Sequence, residues 1–165
     1  MSIELIVLDV DGTMTDGKIV YTQNGDELKS FSVKDGLAIA SWIKLGKKVA
    51  IITGRSSKIV ENRATELGIQ HFYQGVHKKK ERLEEILKEL NLTMDNVASI
   101  GDDLNDYTML SASKYSYVPA DASVYVKNIA TEVLSSNGGE GAVREMIEKL
   151  IILENLEESY LALWQ

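Results

Sequence analysis

Short apolar runs alternate with segments of helical spacing along almost the whole chain. The apolar runs predict strands at residues 3–9, 48–53, 71–73, 97–101, 115–118 and 132–134. Helical spacing predicts helices at residues 35–45, 56–67, 78–90, 105–111, 123–129 and 141–153, and again in the tail 154–165. Strands this apolar are typical of a parallel sheet that is buried on both faces. The pattern therefore predicts an α/β fold with a doubly wound, mainly parallel sheet and helices on both faces.

One segment departs from this alternation. Residues 18–21 and 27–31 flank Asn24-Gly25, a dipeptide that favours a tight hairpin turn. This β-hairpin insertion, at about 18–31, is too short to be a domain by itself. The chain has 165 residues, one proline and no linker, so we expect a single domain over 1–165, with a C-terminal helix and tail at 141–165.

Composition narrows the class of protein. The net charge of −7 argues against a nucleic-acid partner. The chain has no cysteine, which excludes disulfides, thiolate metal sites and a cysteine nucleophile. The N-terminus lacks the pattern of a signal peptide, and no apolar run is long enough to span a bilayer. A cytoplasmic enzyme with no nucleic-acid or membrane partner fits these observations.

Three of the predicted strands end in polar motifs. These motifs are Asp9-Val10-Asp11-Gly12-Thr13, Thr53-Gly54-Arg55 and Gly101-Asp102-Asp103-Leu104-Asn105-Asp106. Because parallel strands end at the same edge of a sheet, we expect the three motifs to converge there. A basic segment, His77-Lys78-Lys79-Lys80, begins a helix on the same side. Carboxylates placed this close repel each other unless a cation or a shared proton offsets their charge.

These four motifs, in this order, resemble those of the haloacid dehalogenase-like superfamily of phosphatases, which have a Rossmann-like sheet. The small hairpin leaves no room for the separate cap domain of most members. The chain therefore resembles the capless branch, and within it the 3-deoxy-D-manno-octulosonate 8-phosphate phosphatase family. Further shared segments are Asp16-Gly17, Phe31-Ser32-Val33-Lys34-Asp35-Gly36, Tyr73-Gln74-Gly75 and Gly138-Gly139-x-Gly141-Ala142-Val143-Arg144-Glu145.

The resemblance implies a Mg²⁺-dependent hydrolysis of a sugar-acid phosphate through an aspartyl-phosphate. Asp9 would be the nucleophile, and Asp11 the general acid and then the general base. Thr53 would hydrogen-bond a phosphoryl oxygen, and Lys79 would supply positive charge to the phosphate. The carboxylates of Asp9 and Asp102, with the backbone carbonyl of Asp11, would bind the Mg²⁺ ion.

Two details of this site stay open at the level of sequence. Asp103 and Asp106 are expected to orient the metal site without binding the metal. The phosphate-binding lysine is one of three adjacent residues; alignment from Tyr73-Gln74-Gly75 favours Lys79, with Lys78 as the alternative to it.

The resemblance also implies a set of substrate contacts. These contacts are Asp11, Ser32, Val33, Lys34, Asp35, Gly36, Arg55, Arg63 and Lys79. Two guanidinium groups suit an anionic sugar acid. The alternative for Arg55 and Arg63 is ordinary surface ion pairing with Glu66 or Glu61.

The identity of the sugar rests on two residues that point in opposite directions. Octulosonate phosphatases usually read Gly-Gly-Arg-Gly where this chain has Glu140, and some have Arg in place of Ala40. A sister group that acts on nonulosonate (sialic-acid-like) 9-phosphates reads Gly-Gly-Glu-Gly, but carries Glu in place of Arg55. Our interpretation is an octulosonate 8-phosphate phosphatase of lipopolysaccharide biosynthesis, with a nonulosonate 9-phosphate phosphatase as the alternative.

Other classes of protein fit the sequence less well. A non-catalytic relative that binds a partner through its hairpin would not need the acid pair Asp9 and Asp11. A mutase usually needs a cap domain, and a response-regulator receiver does not carry Asp-x-Asp-Gly-Thr on its first strand. Relatives in the family are homotetramers in which hairpins associate and a neighbour's C-terminal segment covers the site, so we expect the same assembly here.

Overall fold

The computed structural model describes all 165 residues. Its strands are β1 (Leu5–Leu8), β2 (Val20–Tyr21), β3 (Glu27–Leu28), β4 (Lys48–Ile52), β5 (His71–Tyr73), β6 (Val97–Ile100), β7 (Tyr115–Val118) and β8 (Glu132–Val133). Its helices are α1 (Val33–Lys44), α2 (Lys58–Glu66), α3 (Lys79–Leu90), α4 (Tyr107–Ala112), α5 (Val124–Lys127), α6 (Ala142–Leu153) and α7 (Glu157–Ala162). None of these helices combines the length and the apolar character needed to cross a bilayer.

Six of the strands form one parallel sheet in the order β5-β4-β1-β6-β7-β8. The predicted doubly wound α/β fold is thereby confirmed. The chain moves outward in one direction from β1 to β4 and β5, and in the other direction from β6 to β8. The order therefore reverses at β1, and ligands of such sheets bind in the crevice at that point, beyond the carboxyl ends of the strands.

Strand β1 is buried on both faces because helices cover both sides of the sheet. Ile6 and Leu8 pack into the larger core, together with Trp42 of α1 and residues of α2 and α6. Leu5 and Val7 point the other way, into a core built with α3 and α4. This alternation of side chains is what a strand imposes. The turn that follows β1 is thus attached to a fully buried strand.

The hairpin forms a separate two-stranded antiparallel sheet, in which Val20 lies opposite Leu28 and Tyr21 opposite Glu27. Its strands have two residues each and are shorter than the predicted segments, because no neighbouring strand extends the pairing. Val20, Tyr21 and Leu28 leave large apolar side chains exposed.

Two of the helices that follow polar motifs begin differently from the prediction. The helix predicted from residue 56 begins at Lys58 with Ser57 as its N-cap, so Thr53 does not cap it. The helix predicted over 105–111 is divided into a 3₁₀ turn, Leu104–Asp106, followed by α4. The turn is tight because the Asp103 carboxylate accepts the N–H of Leu104 and the Asp106 carboxylate accepts that of Asp103.

A glycine-containing loop between β8 and α6 packs directly against the turn after β1. The N–H of Gly139 donates to the carbonyl of Thr13 (3.0 Å), and the N–H of Gly138 donates to the carboxylate of Asp121 (3.0 Å). A Cβ atom on Gly138 would lie only 1.9 Å from the carbonyl oxygen of Gly12. The loop therefore supports the first motif from one side, and only glycine permits this approach.

Replacing Gly138 with alanine tests this close packing. We expect Gly138→Ala to lower the free energy of unfolding by about 1–3 kcal/mol, because the methyl group must displace backbone. Gly54→Ala is the matched control, since its Cβ would meet nothing closer than the Val76 carbonyl at 3.7 Å. Urea unfolding of both variants, without ligands, makes the measurement. Equal stability of the two variants would contradict the expected clash.

Candidate active site

The three polar motifs converge at the carboxyl edge of the sheet, as the sequence predicts. Asp9 follows β1, Thr53 follows β4 and Asp102 lies just beyond β6, which are three adjacent strands. Asp9 and Thr53 are almost fully buried. Carboxylate oxygens of Asp9, Asp102 and Asp106 lie within 4.8 Å of one another. This edge therefore holds a compact cluster of acids at the point where the strand order reverses.

A buried lysine lies against this cluster. The Nζ atom of Lys79 is 2.6 Å from Asp9 Oδ1 and 2.5 Å from Asp106 Oδ1, and its side chain is 1% exposed. Burial opposes the charge, but Asp9 and Asp106 outweigh it and raise the pKa of Lys79. Lys78 and Lys80 instead point to solvent. Of the three adjacent lysines, Lys79 is the one that the structure brings to Asp9.

Asp106 is fully engaged with the protein. One of its oxygens accepts from Lys79, and the other accepts the N–H groups of Asp102 (3.0 Å) and Asp103 (3.4 Å). A Cβ on Gly101 would lie 2.4 Å from the carboxylate carbon of Asp106, so glycine is required there. These bonds fix the loop that carries Asp102, which is the orienting role that the sequence predicts for Asp106.

The pKa of Asp102 is raised further than that of Asp106. Burial, together with the negative charges of Asp9 and Asp106, raises the pKa of Asp102 to about 8. The hydroxyl of Thr13 donates to Asp102 Oδ1 over 3.4 Å. A Cβ on Gly12 would lie 2.0 Å from Asp102 Oδ2, so the turn after β1 can approach this carboxylate only with glycine at that position. One lysine does not neutralise three acids, and the cluster retains excess negative charge.

Asp11 points away from this cluster, toward the hairpin. Its Oδ1 atom lies 2.5 Å from the Nζ atom of Lys29, whose side chain is 1% exposed. Lys29 also lies 3.2 Å from Glu27, and Glu27 lies 3.3 Å from the guanidinium of Arg55. The sequence analysis missed Lys29, because no residue pattern shows which side chain of so short a hairpin turns inward.

The first turn of α1 contributes fewer surface side chains than the resemblance implies. Val33 and Lys34 are exposed, whereas Asp35 is buried. The carboxylate of Asp35 accepts the N–H of Arg144 at the start of α6 (2.9 Å), and the N–H of Asp35 donates to the Ser32 hydroxyl (3.3 Å). The Asp35 side chain thus joins the starts of two helices, and its role as a substrate contact stays a prediction.

Gly36 lies beneath the guanidinium of Arg63, where a Cβ would come within 2.4 Å of a guanidinium nitrogen. Arg63 donates to the Ser32 carbonyl (3.3 Å), pairs with Glu66 (2.9 Å) and packs over the ring of Phe31. For Arg63 the structure therefore shows the ion pair that the sequence left as the alternative. Two of its five N–H donors are used within the protein, and its buried Nε has no hydrogen-bond partner.

An open groove begins beside Lys29 and runs between residues 29–33 and α2. It has a volume of about 480 Å³ and is lined by Lys29, Phe31, Val33, Ile59, Asn62, Arg63 and Glu66. Arg55 is half-exposed at the same edge of the molecule. The structure thus brings together Val33 and Arg63 in one groove, next to the lysine that contacts Asp11.

Comparisons with known proteins agree on one family. A family model of haloacid dehalogenase-like hydrolases matches residues 72–147. The chain is 39% identical over 150 residues to the 3-deoxy-D-manno-octulosonate 8-phosphate phosphatase of Haemophilus influenzae, covering 91% of this chain and 83% of that protein. The corresponding phosphatase of Escherichia coli K12 is 41% identical over 153 residues, covering 93% and 81%.

Two solved structures extend this agreement to the whole fold. The phosphatase of Moraxella catarrhalis, in complex with magnesium, phosphate and 3-deoxy-D-manno-octulosonate, superposes with a TM-score of 0.95 at 36% identity, covering 99% of this chain and 94% of that one. The cobalt-bound enzyme of Haemophilus influenzae superposes with a TM-score of 0.89 at 38% identity, covering 93% and 90%. The chain belongs to the 3-deoxy-D-manno-octulosonate 8-phosphate phosphatase family of haloacid dehalogenase-like hydrolases.

Proposed function

We propose that the chain is a Mg²⁺-dependent phosphatase that converts 3-deoxy-D-manno-octulosonate 8-phosphate to 3-deoxy-D-manno-octulosonate and phosphate. The observation that carries this proposal is the buried Asp9–Lys79 pair at the carboxyl end of β1, with Asp102 beside it. A buried carboxylate held by a lysine, at the point where the strand order reverses, is placed to attack a phosphate.

The acidic cluster suits Mg²⁺, which prefers carboxylate and carbonyl oxygens. The residues that would hold the ion are Asp9, Asp102 and, through its backbone carbonyl, Asp11. Asp106 is left out because Lys79 and two N–H groups already engage its oxygens. When bound, Mg²⁺ would offset the excess negative charge of the cluster and polarise the phosphoryl group.

In the first step the Asp9 carboxylate attacks phosphorus, and the bond between phosphorus and the sugar oxygen breaks. Asp11 gives its proton to that oxygen, so the sugar leaves as the alcohol and an aspartyl-phosphate remains on Asp9. The ammonium of Lys79 and the hydroxyl of Thr53 stabilise the charge that develops on the phosphoryl oxygens. Lys79 needs no reorganisation for this role because its two acidic partners already fix its position.

In the second step a water molecule attacks the same phosphorus, and Asp11 accepts a proton from it. The bond between phosphorus and Asp9 breaks, which releases phosphate and restores the Asp9 carboxylate. Asp11 thus regains the proton that it gave in the first step. A single residue performs both proton transfers because both occur on the side of the phosphorus opposite Asp9.

The octulosonate is favoured over the nonulosonate by the relatives, which bear that name at 39–41% identity over most of the chain. One residue favours the nonulosonate. Glu140 matches the sister group, and it is exposed and close to the glycines that support the first motif. Arg55, half-exposed at the site edge, suits the carboxylate of either sugar acid. Nonulosonate 9-phosphate therefore stays the second candidate substrate.

The active assembly that we propose is a homotetramer built through the hairpins. Ile19, Val20, Tyr21 and Leu28 expose apolar surface on the hairpin. The chain's own tail lies elsewhere: the ring of Trp164 packs 5.1 Å from the ammonium of Lys44, at the end of α1 remote from the site. A C-terminal segment that covers the site would therefore come from a neighbouring chain. A cytoplasmic location stays a prediction.

Phosphate release from both sugar acids, with Mg²⁺, tests the reaction and its substrate together. We expect the octulosonate 8-phosphate to be preferred, and Asp9→Asn to reduce kcat by at least about 10⁴-fold because it removes the nucleophile. Asp26→Asn, in the hairpin turn, is the matched control and should keep full activity. Preference for the nonulosonate would make Glu140 the better indicator of specificity, and Asp9-independent release from both would refute the mechanism.

Replacing Asp102 tests whether its ionised carboxylate destabilises the folded chain. The pKa of Asp102 is raised from 3.8 to about 8 in the folded chain. As pH rises between these values, the unfolded chain gives up this proton before the folded chain does, so the free energy of unfolding falls. Without metal, we expect Asp102→Asn to be more stable than the original chain by about 1 kcal/mol or more at pH 8.5, with little difference at pH 4. Urea unfolding at both pH values makes the measurement.

With added Mg²⁺, the original chain should become more stable than Asp102→Asn, because the ion stabilises only the chain that can bind it. Asp103→Asn is the control: Asp103 is exposed, and asparagine also caps a helical turn. A Mg²⁺-induced rise in Tm that survives in Asp102→Asn would exclude Asp102 as a ligand.

Introducing charged residues on the hairpin tests whether the chains associate through it. Val20→Lys with Leu28→Lys places two ammonium groups opposite each other on the exposed face, and we expect it to convert the tetramer to smaller species. Light scattering after gel filtration gives the mass. Val124→Lys, at an even more exposed valine on α5, should leave the mass unchanged. A tetramer that persists in the hairpin variant would place the interface elsewhere.

A further inference from the structure

A lysine from the hairpin is buried although the hairpin itself is exposed. The side chain of Lys29 is 1% exposed, whereas its neighbour Leu28 is half-exposed. Burying an ammonium is unfavourable unless charged partners hold it. Its partners are Asp11, at 2.5 Å, and Glu27, at 3.2 Å. The hairpin is therefore anchored to the turn after β1 through one charged side chain.

The carboxylate of Asp11 has fewer hydrogen-bond partners than that of Asp106. Asp106 is held by Lys79 and two N–H groups, and Asp9 is held by Lys79 at the end of a buried strand. The carboxylate of Asp11 receives one hydrogen bond, and the donor is Lys29. Without that donor, the side chain would be free to rotate in a partly open position.

The contact continues to the second motif. Glu27 lies between Lys29 and Arg55, and Arg55 follows the loop after β4 that carries Thr53. A chain of charges, Asp11–Lys29–Glu27–Arg55, thus connects two of the loops that form the site. The hairpin is the only element that bridges them in this way, so it fixes the position of Asp11 relative to the phosphate-binding loop.

We propose that Lys29 is a positioning residue, which holds the Asp11 carboxyl group where it exchanges a proton with the leaving sugar oxygen and then with water. The inference rests on the proposed function, because it assigns a purpose to a contact of the proposed acid. A general acid must lie within hydrogen-bonding reach of the atom it protonates. A displacement of about 1 Å is enough to cost about 100-fold in rate.

This role predicts that the damage from losing Lys29 depends on the leaving group. A sugar alkoxide is a poor leaving group and needs the proton of Asp11 when the bond to phosphorus breaks. The p-nitrophenolate ion leaves without a proton, so phosphorylation of Asp9 by p-nitrophenyl phosphate does not need a well-placed acid. Hydrolysis of the aspartyl-phosphate still needs Asp11 as the base with either substrate.

The test is Lys29→Met in the full-length chain with Mg²⁺, since methionine keeps the apolar stem and removes the charge. We expect kcat for octulosonate 8-phosphate to fall about 100-fold while KM changes less than about 3-fold. In rapid mixing with p-nitrophenyl phosphate, the burst of p-nitrophenolate should keep its rate within about 5-fold, followed by slow turnover. Lys29→Arg, which keeps the cation, should recover most of the lost kcat.

Three controls separate this role from others. Lys18→Met, in the same hairpin but 78% exposed, should behave as the original chain. Asp11→Asn should show the same dependence on leaving group, and adding Lys29→Met to it should cost little more, because both changes remove one function. Glu27→Gln provides a milder variant if Lys29→Met does not fold. It leaves the Asp11–Lys29 contact in place and removes only the carboxylate charge that pairs with Lys29.

Each other outcome overturns the proposal. A burst rate of p-nitrophenolate that falls as far as kcat for the octulosonate, with a lowered Tm, would mean that Lys29 only stabilises the hairpin. A large rise in KM with kcat retained would mean that Lys29, which also lines the groove, binds the substrate. Full additivity with Asp11→Asn would mean that the two residues act independently. Activity that survives Asp9→Asn would instead refute the proposed function, and that result is read from a different variant.

Discussion

The concentration of negative charge at the carboxyl end of β1 is the constraint on which the rest of this structure depends. Asp9, Asp102 and Asp106 approach within 4.8 Å, and only the Lys79 ammonium lies among them. Such a cluster persists only where the surrounding fold is rigid enough to oppose the repulsion. The buried strand β1 supplies that rigidity, because both its faces are packed and both its edges are paired.

Support for the cluster comes from two directions. The loop that contains Gly138 lies against the turn after β1 on one side, with backbone so close that no side chain fits between them. The hairpin reaches the same turn from the other side through Lys29. A larger member of the superfamily has a cap domain to close its site. Here a short loop and a short hairpin position the turn.

The sequence predicts the features that depend on buried strands and misses those that depend on side chains crossing between small elements. Strands 71–73 and 115–118 and the convergence of Asp9, Thr53 and Asp102 follow from periodicity and parallel topology. The choice of Lys79 among three lysines was supported only by alignment, since successive helical residues lie about 100° apart and the sequence does not show which faces inward. The contacts of Lys29 and Arg63 join residues 18 and 31 positions apart. No local pattern contains that information.

The resting state also explains why a metal ion is needed in addition to the lysines. Each cation at the site edge is already paired: Lys79 with Asp9 and Asp106, Lys29 with Asp11, and Arg55 with Glu27. A phosphate monoester brings a further charge of about −1.5 to −2 at neutral pH. If Lys79 turned fully to the phosphate, it would leave Asp9 and Asp106 unpaired beside Asp102, whose pKa is already raised. In the proposed mechanism, an added cation held by the carboxylates lets the same cluster bind an anion and present Asp9 as a nucleophile.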